Sequence, residues 1–300
     1  MRVLIVGGTR FIGPRVIRRL VEGGQQVAVL HRGQHIASLP ASVQVFVDPQ
    51  AGMPVTRFPE AVVRYAPDVV LHMIAMGDRD AAAAREKFVN VAERIVMLSS
   101  GDVYRAYGYF SKIEPGPADC MPLTEVSPLR SVLHPYRTET TRMDDLEYYY
   151  DKILAERQIS SDARLPATIL RLPKVYGPGD NADLATVYGF HRHDQWRWTH
   201  GFVENVAAAI CLAVTDSRAR GRTYNVGEPT TPSIRERLAY LPARPDAAQI
   251  DKDGHFDQDI VYDTSRIRSE LGFAEAVPER QAMIDTVNEY LVSTSGRAKR

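Results

Sequence analysis

Apolar segments of two kinds alternate along the first 175 residues. Short runs rich in Val, Ile and Leu predict buried strands at 2–6, 26–31, 43–47, 68–74, 94–98 and 167–171. Between them, apolar residues at helical spacing predict helices at 11–21, 80–92 and about 144–158. Strands that alternate with helices at this pitch predict an α/β fold built on a doubly wound parallel sheet.

A glycine-rich turn joins the first predicted strand to the first predicted helix. Gly7 suits a tight turn, and Gly13 lets the helix pack closely on the strand. The N-terminus of such a helix presents N–H groups to a pyrophosphate, so the unit predicts a dinucleotide-binding Rossmann domain. The predicted cofactor contacts in this turn are Gly7, Thr9, Arg10, Phe11, Ile12 and Gly13.

After residue 175 the pattern changes to short strands and two clear helices, at 202–214 and 279–291, followed by a basic tail. We therefore predict an NAD(P)-binding Rossmann domain over 1–175. A smaller α+β lobe that binds substrate follows over 176–300. Whether the lobe interleaves with the last elements of the sheet is left open.

The end of the second predicted strand bears on the choice of cofactor. NAD-binding units usually place an Asp or Glu there for the ribose hydroxyls, whereas a 2′-phosphate calls for arginine. Here the strand ends in His31 and Arg32, with Arg10 expected nearby. This favours NADP over NAD without excluding NAD. Asp48, after the third strand, is placed either to bind the adenine amino group or to face solvent in a turn.

Two further segments carry groups suited to proton transfer. Ser100 follows the fifth strand, at the sheet edge where ligands of open α/β sheets bind, and its hydroxyl can hold a substrate oxygen. Tyr148 and Lys152 are four positions apart, which on a helix puts them on one face. A lysine ammonium beside a phenol lowers the phenol pKa, and this makes the tyrosine a usable acid or base.

Composition narrows the functional classes. The 37 Lys and Arg balance the 37 Asp and Glu, so the chain lacks the net positive charge that would favour nucleic acid. With two cysteines and no long apolar segment, we expect a cytoplasmic protein that does not enter membranes. His191, His193 and His200 lack the spacing of a metal site, and no metal is expected.

Taken together, these motifs resemble the extended short-chain dehydrogenase/reductase family, the NAD(P)-dependent epimerases and dehydratases. The resemblance implies a catalytic trio in which Tyr148 is the acid/base and Ser100 holds the substrate oxygen. Lys152 would bind the nicotinamide ribose and tune the tyrosine. It also implies a homodimer formed through helices near 80–92 and 144–158. The glycine turn and His31-Arg32-Gly33 are more similar to an atypical branch that includes the chloroplast stem-loop-binding proteins.

The chain departs from the family pattern at several positions. Arg10 replaces the middle glycine, and Lys174 stands where the family usually carries an asparagine that contacts a nucleotide-sugar. A long insertion follows Tyr104, and within it Tyr136 is an alternative counterpart of the catalytic tyrosine. Lys174 and His200, together with Ser100, are the predicted substrate contacts.

The resulting hypothesis is an NAD(P)-dependent epimerase, dehydratase or reductase. It would act on a sugar or nucleotide-sugar-like alcohol or ketone by hydride transfer. The alternative is a nucleotide-binding module with little redox activity that binds RNA, as the stem-loop-binding relatives do. That alternative needs a basic face, which the arginines of the first helix would have to supply.

Overall fold

Seven parallel strands form the central sheet of the computed structural model, which describes residues 1–34, 38–50, 52–244, 247–250 and 252–297. The strands are β1 (Arg2–Val6), β2 (Gln26–His31), β3 (Gln44–Val47), β4 (Val69–His72), β5 (Arg94–Ser100), β6 (Ala167–Leu172) and, late in the chain, β9 (Thr223–Asn225). Their order is β3-β2-β1-β4-β5-β6-β9. The order reverses at β1, where Val6 pairs with Leu30 on one side and His72 on the other.

Helices cover both faces of the sheet. The first face carries α1 (Ile12–Glu22), α8 (Val203–Thr215) and α10 (Ser265–Leu271), and the second carries α2 (Glu60–Arg64), α3 (Asp78–Phe88) and α6 (Lys152–Ile159). The remaining helices are α4 (Arg105–Phe110), α5 (Leu146–Tyr149), α7 (Ala185–Tyr188), α9 (Ile234–Leu238) and α11 (Glu279–Arg297). Two short strands, β7 (Lys174–Tyr176) and β8 (His200–Phe202), pair in parallel as a second sheet.

The apolar pattern of the strands accounts for this arrangement. The last four residues of β1 and all four residues of β4 are buried, as expected for strands with helices on both faces. On α1 the buried positions are Gly13, Val16, Ile17 and Leu20, one stripe at helical spacing. The predicted doubly wound parallel sheet is confirmed.

The part of the chain after residue 176 contributes to the main sheet and to a separate aromatic core. β9 pairs with β6 at the edge of the main sheet, and α8 packs against α1. Beyond these elements, aromatic residues that include Phe110, Phe190 and Trp196 form a separate core. The described residues after 176 therefore interleave with the sheet layers, and the division of the chain at 175/176 stays a prediction.

The C-terminal helix is longer than predicted. α11 runs to Arg297, whereas the sequence predicted a helix over 279–291 followed by a basic tail; residues 298–300 lie outside the described part. Among the described residues, no helix is both long and apolar enough to cross a membrane.

One buried histidine makes stability depend on pH. His72 ends β4 with no exposed surface, its ring meets Phe58 edge-on at 6.5 Å, and neither ring nitrogen has a hydrogen-bond partner among the described residues. Burial, aided by the charge of Lys152, lowers its pKa to about 3. The unfolded chain binds a proton here near pH 6.5 and the folded chain does not, so stability falls as pH drops below 6.5.

We predict that His72→Leu removes the part of the pH dependence that His72 contributes, while the part due to the buried His200 remains. Between pH 7 and pH 5 the wild type should lose about 2 kcal/mol of unfolding free energy through this group, and the variant should not. Urea denaturation at the two pH values measures the difference. The exposed His191→Leu serves as control, and an equal loss in wild type and His72→Leu would contradict the prediction.

Candidate active site at the carboxyl edge of the sheet

A first cavity of about 430 Å³ opens where β1, β2 and β4 end. These carboxyl ends flank the point at which the strand order reverses, the usual ligand position of open α/β sheets. We call it the first cavity. It is lined by Val6, Gly7, Gly8, Thr9, Arg10, Phe11, Ile12, Leu30, His31, Arg32, Gln34, Val55, Met73, Ile74, Leu98, Ser99, Lys152 and Leu172.

The glycine turn shapes one wall of this cavity. Gly7 has a φ of +87°, a left-handed conformation that favours glycine. A Cβ on Gly13 would lie 2.0 Å from the Gly8 carbonyl oxygen, so only glycine permits this approach of α1 to the turn. Among the described residues no side chain caps the start of α1. Its first N–H groups are therefore available to an anion, as predicted for this turn.

Arg15 fixes the turn to the rest of the protein. Its guanidinium donates to the Phe11 and Pro178 carbonyl oxygens at 2.7 and 3.0 Å and to Glu204 Oε1 at 2.7 Å. Arg19 donates to the other oxygen of Glu204 at 3.0 Å. Two arginines of the basic face that RNA binding would require are thus engaged with a carboxylate of α8.

The far end of the first cavity is basic. Arg10, His31 and Arg32 line the cavity, and among the described residues no carboxylate does. The Gly33 N–H donates to His31 Nδ1 at 2.9 Å, and partial burial lowers the histidine pKa. Asp48 is outside the lining but 5% exposed. Its Oδ1 accepts from Gln50 N, while Oδ2 has no hydrogen-bond partner among the described residues and lies 3.5 Å from Arg57 Nε.

A second cavity of about 240 Å³ adjoins the first. Leu172 lines both, and the adjacent Ser99 and Ser100 line one each. The second cavity is lined by Ser100, Gly101, Asp102, Tyr107, Tyr136, Tyr150, Leu172, Pro173, Lys174, Trp198 and Tyr262. Tyr136, Ser100 and Lys174 were predicted at the site, whereas Asp102 and Tyr150 were missed.

Asp102 brings two tyrosines together. Its Oδ2 accepts hydrogen bonds from Tyr136 Oη at 2.9 Å and Tyr150 Oη at 2.8 Å. Burial first, and then the carboxylate charge, raise the pKa of both phenols, while the nearby Ser100 hydroxyl acts in the opposite direction on Tyr150. Both tyrosines therefore stay protonated at neutral pH. Asp102 could have been found from the sequence, because it follows Ser100 in the same segment after β5.

Lys152 lines the first cavity, and its ammonium lies near a tyrosine that lines the second. Its Nζ is buried and donates to the carbonyl oxygens of Ala75 at 2.5 Å and Leu98 at 3.2 Å, which uses two of its three N–H groups. The Tyr150 ring lies 5.8 Å away. Desolvation lowers the lysine pKa, opposed chiefly by the charge of Asp102.

Tyr148 is not where the helical spacing placed it. The predicted helix 144–158 is broken at Tyr150, and α6 begins only at Lys152, with Asp151 as its N-cap. The prediction that Tyr148 and Lys152 share a helical face is therefore wrong. The Tyr148 ring instead stacks with the Arg137 guanidinium at 4.1 Å, and Arg137 donates to its carbonyl oxygen. Tyr148 lines neither cavity.

His200 also differs from its prediction. It is fully buried, with Nδ1 2.7 Å from the Trp198 carbonyl oxygen and Nε2 3.0 Å from Thr186 Oγ1, and it lines neither cavity. Desolvation lowers its pKa well below the usual value. A search of the described residues finds no group of three His, Cys, Asp or Glu side chains arranged to hold a metal.

A buried ionic network supports the site from behind. Glu156 accepts from Arg171 Nη2 at 2.7 Å and from Ser99 Oγ at 2.6 Å. Arg171 also donates to Tyr104 Oη at 3.1 Å, which in turn donates to Asn225 at 2.5 Å. The network joins β5, α6, β6 and β9, so the position of the serine pair depends on all four elements.

Comparison with known proteins agrees with this geometry. The sequence profile of the NAD dependent epimerase/dehydratase family matches residues 3–227. The chain belongs to this family of enzymes. The predicted membership is confirmed, and the matched span contains both cavities apart from Tyr262.

Individual members are distant in sequence. The dTDP-glucose 4,6-dehydratase of Salmonella typhimurium is 23% identical, with 98% of this chain and 94% of that protein covered. The 2'-dehydrokanamycin reductase of Streptomyces kanamyceticus is 26% identical over 74% of this chain and 60% of the reductase. The chain thus spans less than two thirds of the reductase.

Two solved structures share the fold. UDP-glucose 4-epimerase from Thermotoga maritima, solved with UDP-glucose, gives a TM-score of 0.68 at 17% identity, covering 98% of this chain and 100% of that one. dTDP-glucose 4,6-dehydratase from Bacillus anthracis, solved with NAD, gives 0.68 at 14% identity, covering 98% of each chain. At these identities the likeness concerns the fold alone.

We predict that Gly13→Ala weakens binding of the nicotinamide cofactor. The added methyl would collide with the Gly8 carbonyl and push α1 away from the turn, so affinity should fall at least tenfold. Fluorescence titration with NADPH and with NADH measures this. Gly52→Ala is the matched control, because no atom lies within 4 Å of its added Cβ. Unchanged affinity in Gly13→Ala would show that the turn does not hold the cofactor.

Proposed function

We propose that the protein is an NAD(P)-dependent epimerase, dehydratase or reductase that acts on a sugar or nucleotide-sugar. The main observation is the adjacency of two cavities, one built on the glycine turn and one lined by Ser100, Asp102 and two tyrosines. The two solved relatives are named for nucleotide-sugar substrates, UDP-glucose and dTDP-glucose, and the Thermotoga maritima structure contains UDP-glucose. That chemistry is proposed here for this chain.

The first cavity fits a dinucleotide. The close approach of Gly13 to Gly8 leaves room for a pyrophosphate at the start of α1, flanked by Thr9, Phe11 and Ile12. Asp48 is outside the lining, and its buried Oδ2 lies 3.5 Å from Arg57 Nε without a hydrogen-bond partner in the described residues. We propose that this oxygen accepts from the adenine amino group. Lys152 would hold the nicotinamide ribose. A bound nicotinamide supplies the capacity to accept or donate hydride.

The second cavity supplies the proton chemistry. We propose Tyr150 as the acid/base in place of Tyr148, because its hydroxyl lines the cavity near Ser100 and its ring lies beside Lys152. Ser100 would hold the substrate oxygen, and Lys174, which also lines the cavity, would bind an anionic or hydroxyl group of the substrate. Tyr136 remains the alternative acid/base, since it donates to the same carboxylate.

The side chains that line the first cavity also bear on whether the cofactor carries a 2′-phosphate, as NADP does, or lacks it, as NAD does. Arg10 and Arg32 are exposed, line the first cavity and share its lining with no carboxylate, which supports NADP. The Bacillus anthracis relative was solved with NAD, which supports a nicotinamide dinucleotide without bearing on the phosphate. We propose NADP as the preferred cofactor and NAD as the alternative. A homodimer through α3 and α6 likewise stays a prediction.

Tyrosine substitutions test the site. We expect Tyr150→Phe to lower kcat by about a hundredfold or more, because the reacting hydroxyl loses its proton partner. Tyr148→Phe, a matched change outside both cavities, should leave kcat unchanged. The protein and NADP are incubated with UDP-glucose or dTDP-glucose. Chromatography of the sugar products measures epimerisation and dehydration, which return the hydride and leave the cofactor unchanged overall, and cofactor absorbance measures net oxidation or reduction. A larger loss in Tyr136→Phe than in Tyr150→Phe would transfer the role to Tyr136, and full activity in Tyr150→Phe would exclude Tyr150.

Cofactor titration tests the basic end of the first cavity. NADPH should bind more tightly than NADH, and Arg32→Ala should weaken NADPH binding by about tenfold through loss of a charge-assisted hydrogen bond, with little effect on NADH. Arg18→Ala, exposed on α1 away from the cavity, is the control. Equal affinity of the wild type for both cofactors would contradict the role of Arg32.

A further inference from the structure

We propose that Asp102 is a positioning residue that receives the phenolic proton of Tyr150 when Tyr150 accepts a proton from a substrate alcohol. The inference rests on the proposed function and deepens it. It assigns the end point of the proton path to a carboxylate rather than to the lysine.

The hydrogen bonds define the direction of this path. A phenol has one proton, and Tyr136 and Tyr150 both direct theirs to Asp102 Oδ2. Each phenol oxygen can then only accept from a further group. A substrate hydroxyl in the second cavity is such a donor, so a proton entering Tyr150 can leave it only along the existing hydrogen bond to Asp102.

Asp102 is held rigidly for this task. Arg130 Nε donates to its carbonyl oxygen at 2.5 Å, and its own N–H donates to Ser100 Oγ at 3.3 Å. The residue is 5% exposed, and its Oδ1 is buried without a hydrogen-bond partner among the described residues, although it lines the cavity. A carboxylate with one free buried oxygen has capacity for one more donor.

The electrostatics favour a carboxylate relay over an ionised phenol. Burial and the Asp102 charge raise the pKa of Tyr150, so the tyrosine does not ionise unaided near neutral pH. Lys152 donates to two backbone carbonyls, and its own pKa is lowered by desolvation. The other charged or titratable groups around Asp102 are Tyr107, Arg130, Tyr136 and Tyr262. None of the tyrosines is a stronger proton acceptor than the carboxylate.

The proton balance is complete within these residues. The substrate O–H bond breaks and a new O–H bond forms on Tyr150, while the original Tyr150 O–H bond breaks and an O–H bond forms on Asp102. Tyr150 is neutral before and after, and Asp102 changes from carboxylate to carboxylic acid. The carbinol hydrogen leaves with its electron pair as hydride, which the proposed cofactor accepts. Reduction of a ketone reverses each transfer.

An alkaline titration of the tyrosines tests the coupling without cofactor or substrate. Tyrosinate absorbance is followed in wild type, Asp102→Asn, and Asp102→Asn combined with Tyr136→Phe or Tyr150→Phe. Asp102→Asn should bring two phenols to ionise at least one pH unit lower, and each double variant should retain one of them. Asp144→Asn, at an exposed acid that pairs with Arg142, is the control. If the tyrosines of Asp102→Asn ionise at the same pH as those of the wild type, the relay is overturned and the proposed function is not.

The kinetic arm uses whichever of UDP-glucose or dTDP-glucose the wild type converts. Asp102→Asn should lower kcat by about a hundredfold, with substrate KM and NADPH affinity unchanged. Asp102→Glu keeps a carboxylate at this position and should lose much less of kcat, and it remains informative if Asp102→Asn does not fold. Wild-type kcat in Asp102→Asn, or a loss of about a hundredfold in Asp102→Glu, would overturn the relay. No turnover by wild type with either sugar would instead overturn the proposed function, and the relay with it.

Discussion

The arrangement of the site depends on where α6 begins, and one carboxylate fixes that point. Asp151 is fully buried, and its Oδ1 accepts from Ile153 N and Leu154 N as the helix N-cap. Its N–H donates to Met76 O at 2.8 Å, and its Oδ2 accepts from His134 N at 2.6 Å. The cap therefore ties α6 to the β4–α3 loop and to the insertion at once. As a result Tyr150 projects into the second cavity and Lys152 reaches the strand ends.

The next turn of α6 extends the same constraint to the far edge of the sheet. Glu156 follows Lys152 by four residues, so both point to one side of the helix, and Glu156 forms a buried ion pair with Arg171. Such a pair costs desolvation, which is offset only when its remaining hydrogen bonds are satisfied. Ser99 and Tyr104 satisfy them here. The network thus favours one arrangement of β5, β6 and α6 by making every alternative leave a charge unpaired.

The sequence predicted most of the fold because its strands are short apolar runs at clear spacing. The strands 2–6 and 26–31 were placed correctly to the residue, and the glycine turn lies where its motif required. The expected shared helical face of Tyr148 and Lys152 was wrong for a local reason. Helical spacing across 144–158 assumed one helix, whereas Asp151, a strong N-cap residue, starts a new one. Placing Tyr136 beside Asp102 needs the path of the insertion, which hydrophobic periodicity does not encode.

The chain has no net charge, but charged side chains are unevenly distributed along the carboxyl edge of the sheet. Arginines at positions 10 and 32 border the end of the first cavity without carboxylates in its lining, so a phosphate there meets uncompensated positive charge. Lys152 lines the first cavity and Asp102 lines the second, and the charge of Asp102 opposes the lowering of the Lys152 pKa by desolvation. In the function that we propose, the cofactor phosphates therefore lie at the basic end of this sheet edge and proton transfer takes place beside the buried lysine.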